Sequence, residues 1–189
     1  HRIGFATGDD LAKYFRFRGW DPEIANDLGL IDVSKREYFR QRIVIPELRD
    51  GKAIYLVGRA TQVYQKAKYL GLPGAPKPLY GLESVRGSTD VFICEGPLDW
   101  LTLVQWGYPT VAILGSHLKQ ELENELADAK TIYIVTDSDE PGRRSAKRLA
   151  ETFGNRARIV PPLPKAKDVN ELAMCVDGRQ VFAQLVQQA

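Results

Sequence analysis

Paired metal-binding cysteines are missing from this chain. Its two cysteines, Cys94 and Cys175, stand isolated, and with only two histidines in 189 residues no Cys/His zinc site of the usual spacing can be assembled. Cys94 falls in an apolar run, where a reduced thiol behaves as a small hydrophobe, and this points to the cytoplasm. No stretch approaches ~20 consecutive apolar residues, which excludes a membrane-spanning helix and a membrane partner. A secretory signal is also lacking. The chain opens His1-Arg2-Ile3-Gly4 without a starting Met, as expected of a piece cut from something longer. Internal repeats and low-complexity tracts do not occur.

Net charge is small, +2, but unevenly spread. Residues 1–89 carry 15 Lys+Arg against 10 Asp+Glu, while residues 90–189 carry 11 against 14. Such a division suits a polyanion held by one part and processed by the other, and is equally compatible with scatter on a solvated surface.

Hydrophobic patterning divides the chain at about the same place. In the first part, Asp9 or Asp10 can cap a helix with Leu11, Tyr14 and Phe15 on its apolar face, ending at Gly19. Asp21-Pro22 starts a second helix that ends at Gly29. Arg42-Ile43-Val44-Ile45-Pro46 and Ala53-Ile54-Tyr55-Leu56-Val57 read as strands joined through Asp50-Gly51, a strong hairpin signal. From Ala60 to Ser88 the chain is irregular and rich in Gly and Pro, yet carries Tyr64, Lys66, Lys68, Tyr69, Lys77 and Tyr80. Interleaved Lys and Tyr suit nucleic acid, because ammonium groups neutralise phosphates and aromatic rings stack on bases.

After Ser88 strands alternate with helices: strands at 91–94, 110–114, 131–136 and 157–160, helices at 97–106, 118–126 and 142–153, and a last helical region over 168–186. That alternation predicts an α/β fold, a mainly parallel sheet flanked by helices, at 89–189, preceded by a smaller mixed α+β basic subdomain at 1–88.

Two apolar strands empty into acids: Val91–Cys94 into Glu95-Gly96-Pro97-Leu98-Asp99, and 131–136 into Asp137-Ser138-Asp139-Glu140-Pro141-Gly142. Ligands of open α/β sheets sit beyond the carboxyl ends of the strands. Carboxylates clustered there suit a hard cation such as Mg²⁺, and Asp168 at the next strand-to-helix junction adds a fourth acid. Asp137 and Asp139, two apart on an extended segment, project to one face. Asp-x-Asp at such a turn also serves as a helix cap, and Asp99 could equally face the cavity or balance the first turn of its helix. His117 is compatible with phosphate contact or with a solvated surface, and Trp20, Trp100 and Trp106 read as core. Arg143-Arg144 suits either a phosphate strand or an exposed helix face.

Glu95-Gly96-Pro97-Leu98-Asp99, the Gly115-Ser116 turn, Asp137-Ser138-Asp139-Glu140-Pro141-Gly142 with Arg143, and Lys167-Asp168-Val169-Asn170-Glu171 together resemble a TOPRIM domain. The upstream series Arg42-Ile43-Val44-Ile45-Pro46, Gly58-Arg59, Lys68-Tyr69-Leu70 and Lys77 before Leu79-Tyr80-Gly81-Leu82 is similar in order and spacing to bacterial-type (DnaG-type) DNA primases. The last motif is closer to phage and mobile-element relatives. Gly71-Leu72-Pro73 departs from the family, which commonly has Asn after Lys-Tyr-Leu.

The resemblance implies a primase core that synthesises short RNA primers on single-stranded DNA from ribonucleoside triphosphates, with a replicative helicase as partner. It implies Glu95 in catalysis and metal binding, Asp137 and Asp139 holding Mg²⁺ or Mn²⁺, about two ions, and Asp168 near them. Arg42, Arg59, Lys68 and Lys77, with Tyr69 among them, would hold the template or nucleotide phosphates. The zinc module that usually precedes such a core is absent, so no zinc is expected here. A TOPRIM-type metal-dependent nuclease, or a non-catalytic module that binds nucleic acid or a helicase, are the alternatives.

Overall fold

The computed structural model describes residues 2–115 and 123–189, which divide into two compact units at Lys77/Pro78. Ser116, His117 and 118–122 of the expected 118–126 helix lie outside the described residues.

The first unit contains β1 (Gly4–Ala6), α1 (Asp10–Phe17), α2 (Pro22–Asp27), β2 (Arg42–Arg49), β3 (Lys52–Ala60) and β4 (Tyr69–Gly71). Its α2 begins as its residues dictate: the Asp21 carboxylate accepts the Glu23 backbone N–H at 2.9 Å, and Pro22 occupies the first position. Strands β2 and β3 form the anticipated hairpin. Asp50 and Gly51 both take positive φ, +50° and +74°, as the tight turn between Arg49 and Lys52 requires. The sheet is antiparallel in the order β1-β2-β3-β4. Hydrophobic alternation predicts neither β1 nor β4, because each is a three-residue strand defined by its neighbour: Gly4–Ala6 pairs along Arg42–Val44, and Tyr69–Gly71 along Val57–Arg59.

The second unit contains β5 (Asp90–Cys94), α3 (Pro97–Gln105), β6 (Thr110–Ala112), β7 (Thr131–Ile134), α4 (Glu140–Phe153), β8 (Ala157–Ile159), α5 (Val169–Leu172) and α6 (Gly178–Gln188). The expected parallel sheet is present, in the order β6-β5-β7-β8. Alternate residues serve opposite faces. Val91, Ile93, Ile132 and Ile134 share a core with Ala146, Leu149 and Phe153 of α4. On the other face Phe92 stacks on Tyr133 at 4.6 Å and approaches Phe182 of α6. With both faces covered, the central strands are apolar from their second residues on, Val91–Cys94 and Ile132–Ile134, rather than alternating. The last helical region is two helices, α5 and α6, separated by a turn in which Met174 and Val176 are exposed.

Residues 78–88, read in the sequence as the end of the basic part, pack in this second unit. Leu79, Leu82 and Val85 join its core, and Tyr80 exchanges backbone hydrogen bonds with Ala112. Tyr80 is buried edge-on against Trp100, with ring centroids 5.0 Å apart, so it is not one of the tyrosines available to bases. Trp20 departs in the opposite sense from the core role expected of it. It is 46% exposed, with the Arg18 guanidinium 4.8 Å from its ring centroid. Among the described residues no helix is long and apolar enough to cross a membrane.

Candidate active site

Chain order around the sheet reverses between β5 and β7: the connection from β5 leads outward to β6 on one side, and β7 and β8 lie on the other. A parallel sheet has its ligand crevice at such a reversal, beyond the carboxyl ends of the strands. Glu95 directly follows β5, and Asp137-Ser138-Asp139 follows β7.

Asp139 is also the N-cap of α4, its Oδ1 accepting the Gly142 N–H at 3.0 Å. Asp168 likewise caps α5 by accepting the Glu171 N–H at 2.7 Å. The capping role weighed for the Asp-x-Asp pair is therefore real at Asp139, and it fixes that carboxylate's second oxygen at the crevice. Gly142 makes the turn possible: a Cβ there would be driven into the Asp137 carbonyl. Gly142→Ala should accordingly destabilise this unit by about 2 kcal/mol, as overpacking against backbone does, in a denaturant titration.

Ser138 ties the next segment down. Its N–H donates to the Lys167 carbonyl at 2.8 Å, and its Oγ accepts the Leu163 N–H at 3.1 Å. Its own carbonyl accepts from Arg143 at 2.8 Å. Asp99 faces the same loop from α3, its Oδ1 accepting the Asn170 N–H at 3.2 Å. Sequence reasoning gave Ser138 no part, because nothing about the middle residue of Asp-x-Asp announces a clamp.

Charge is distributed unequally over the acids. Glu95 has an oxygen, Oε1, that is sealed from solvent without a hydrogen-bond partner. Burial pushes its carboxyl above the usual value, and the negative charges of Asp137 and Asp139 push the same way; the Asp137 backbone N–H and Lys167 partly oppose this. Asp139 is held below its usual range, first by the Gly142 N–H and then by Lys167. The Lys167 ammonium lies 3.4 Å from Asp139 and 3.9 Å from Asp137, and its pKa is raised by them. Arg143 and Arg144 both pair with Glu140, at 2.9 and 3.3 Å.

Glu95, Asp137 and Asp139 are therefore close enough to sense one another's charge, and Asp168 flanks them through Lys167. Hard carboxylate donors with one unsatisfied buried oxygen fit Mg²⁺ or Mn²⁺ in chemistry. In this arrangement no three metal-ligating residues, among the described residues, stand close enough to hold an ion together.

In the first unit, pairing of β3 with β4 puts Arg59 opposite Tyr69. The Arg59 guanidinium is 5.1 Å, and the Lys68 ammonium 5.9 Å, from the Tyr69 ring centroid, so these three form one cluster. Arg42 is buried at 5% exposure and donates to the carbonyls of Ala67 at 2.9 Å and Gly58 at 3.4 Å. It holds the 61–68 loop to the sheet and lines a cavity of about 550 Å³ with Arg40, Gln41 and Tyr64. Lys77 is exposed at the end of this unit.

A parallel sheet with acids at its switch point defines the second unit as Toprim-like, and the family model of that description matches residues 92–173. The gene 57 protein of Mycobacterium phage D29 is 38% identical over 109 residues, covering 57% of this chain and 70% of the phage protein. A DNA primase of Halalkalibacterium halodurans is 30% identical over 169 residues, covering 79% of this chain but only 28% of that protein. Among solved structures, the Aquifex aeolicus primase comprising zinc-binding and RNA polymerase domains is 25% identical with a TM-score of 0.83, covering 98% of this chain and 50% of that one. The chain is similar to the DnaG-type primases over most of its own length, and its second unit is the Toprim-like part of that similarity. It spans 28% of the Halalkalibacterium primase and half of the Aquifex primase structure, and 70% of the phage protein.

Proposed function

We propose that this chain is the RNA-polymerase core of a DNA primase, joining ribonucleotides on a single-stranded DNA template in the cytoplasm. The observation that carries this reading is the placement of Glu95, Asp137 and Asp139 beyond the carboxyl ends of β5 and β7, near enough to act on one another's charge, with Glu95 Oε1 buried and unpartnered. Similarity to the DnaG-type primases supports it, and so does the Arg59, Lys68 and Tyr69 cluster in the unit that precedes the acids.

In this reading Glu95, Asp137 and Asp139 would supply the carboxylate oxygens for two Mg²⁺ or Mn²⁺ ions, with Asp168 beside them. Bound there, the ions supply Lewis-acid chemistry at the 3′-hydroxyl, the α-phosphate and the departing pyrophosphate. The protein's own work is placement. The caps at Asp139 and Asp168 and the Ser138 clamp fix the acids, while Arg42, Arg59, Lys68, Lys77 and Tyr69 of the basic subdomain hold template and triphosphate. A replicative helicase is the partner this reading carries.

The test is dinucleotide synthesis from ribonucleoside triphosphates on single-stranded DNA with Mn²⁺ or Mg²⁺. Metal-dependent cleavage of DNA without nucleotides would make the chain a Toprim nuclease instead, and DNA binding without turnover would make it a docking module. The basic cluster has a separate signature. Lys68→Ala should lower the slope of log affinity against log salt for single-stranded DNA by roughly 0.7, the share of one phosphate contact, and leave the melting temperature unchanged. Arg42→Ala should also destabilise, by about 1–3 kcal/mol, because it leaves two carbonyls that it now satisfies.

A further inference from the structure

We propose that Lys167 is an internal counter-cation of the Asp137/Asp139 pair which a divalent ion must displace, so that this side chain sets how much metal the site needs. The proposal rests on the metal assignment made above and deepens it. Its ammonium sits between the two carboxylates, 3.4 Å from Asp139 Oδ2 and 3.9 Å from Asp137 Oδ2. Two negative groups held side by side by a helix cap and a backbone clamp repel each other, and one monovalent cation placed against both relieves that repulsion.

Main-chain anchoring distinguishes Lys167 from a surface lysine that drifts into an ion pair. Its carbonyl accepts from the Ser138 N–H at 2.8 Å, and its own N–H donates to the Glu171 carboxylate at 2.6 Å. The Cα is thus pinned to the Asp-Ser-Asp turn from one side and to the start of α5 from the other. The ammonium end is free to leave. Its side chain is 54% exposed, against 23% for Asp137 and 39% for Asp139. Arg143, the other cation that acts on Asp139, is engaged with Glu140 and the Ser138 carbonyl and is in no position to substitute. Exposed ion pairs of this kind are weak, so a divalent ion wins the exchange, at a concentration raised by the competition.

The experiment measures Mn²⁺ binding to the whole chain by electron paramagnetic resonance, without nucleotide or DNA. Lys167→Met should bind Mn²⁺ roughly 3- to 10-fold more tightly than the parent, the range set by releasing two exposed ion pairs. Lys167→Arg, which keeps the charge, should bind within about twofold of the parent. A Lys167→Met protein with unchanged or weaker Mn²⁺ affinity overturns the proposal, and if its KM for nucleoside triphosphate also rises, the lysine is a phosphate ligand. An Asp137→Asn, Asp139→Asn protein separates the two levels. If it still binds Mn²⁺ like the parent, the metal assignment itself is wrong; if it loses the ion while Lys167→Met leaves affinity unchanged, only the role of Lys167 falls.

Discussion

Replacing Asp137 and Asp139 together by asparagine should lower templated dinucleotide synthesis by on the order of 10³-fold or more, with the fold intact. The size follows from the several kcal/mol of transition-state charge that metal coordination neutralises, at ~1.4 kcal/mol per factor of ten. Asparagine is the informative choice. It caps helices about as well as aspartate, so the hydrogen bond from Gly142 to residue 139 survives while the charge does not. If the two acids served only as turn and cap, the Asn pair would be nearly silent. Alanine would confuse the roles, since loss of the cap alone costs about 1 kcal/mol. Thermal unfolding of the same protein supplies the control: a melting temperature close to that of the parent, together with full dinucleotide synthesis, would sink the metal assignment.

The parts of this molecule that could be read from its sequence are those where a side chain's local role coincides with its global one. Val91–Cys94 and Ile132–Ile134 are apolar at every position because both faces of the sheet are covered, so the parallel sheet was legible in composition alone. Asp50-Gly51 specified its hairpin for the same reason: the turn's backbone angles exclude most other residues. What stayed hidden depends on partners distant in the chain. Nothing in Tyr69-Leu70-Gly71 announces a strand until β3 lies beside it, and Tyr80 is not distinguished from an exposed tyrosine such as Tyr64 until Trp100 covers it. At the candidate site the acids were visible as strand-end residues. The residues that position them were not, since Ser138 acts largely through its backbone and Lys167 through a charge placed by a loop. Arg42 was singled out as a phosphate contact, yet its most evident work in the structure is to satisfy two carbonyls of its own unit.

Glu95→Gln should move activity and stability in opposite directions. Activity should fall by roughly 10²–10³-fold, because a neutral amide neither neutralises a divalent ion nor accepts a proton. Stability of the metal-free protein at neutral pH should rise, read as a higher melting temperature, because an ionised Glu95 is penalised by burial and by two neighbouring aspartates. The pH dependence identifies the cause. A carboxyl whose folded pKa lies above its unfolded one binds more protons when folded, so stability declines as pH climbs through the interval between the two. That interval begins near the ordinary glutamate value of 4.5 and ends at the raised folded value. Below it Glu95 is protonated in both states, and the parent and Glu95→Gln should unfold alike. Above it the full penalty applies to the parent only. Added Mn²⁺ should reverse the order, stabilising the parent and leaving the variant nearly unmoved. A Glu95→Gln protein less stable than its parent at neutral pH, or a difference that persists on acidification, would mean that this carboxylate is held by the fold for packing rather than kept ionised at a cost for the chemistry it performs.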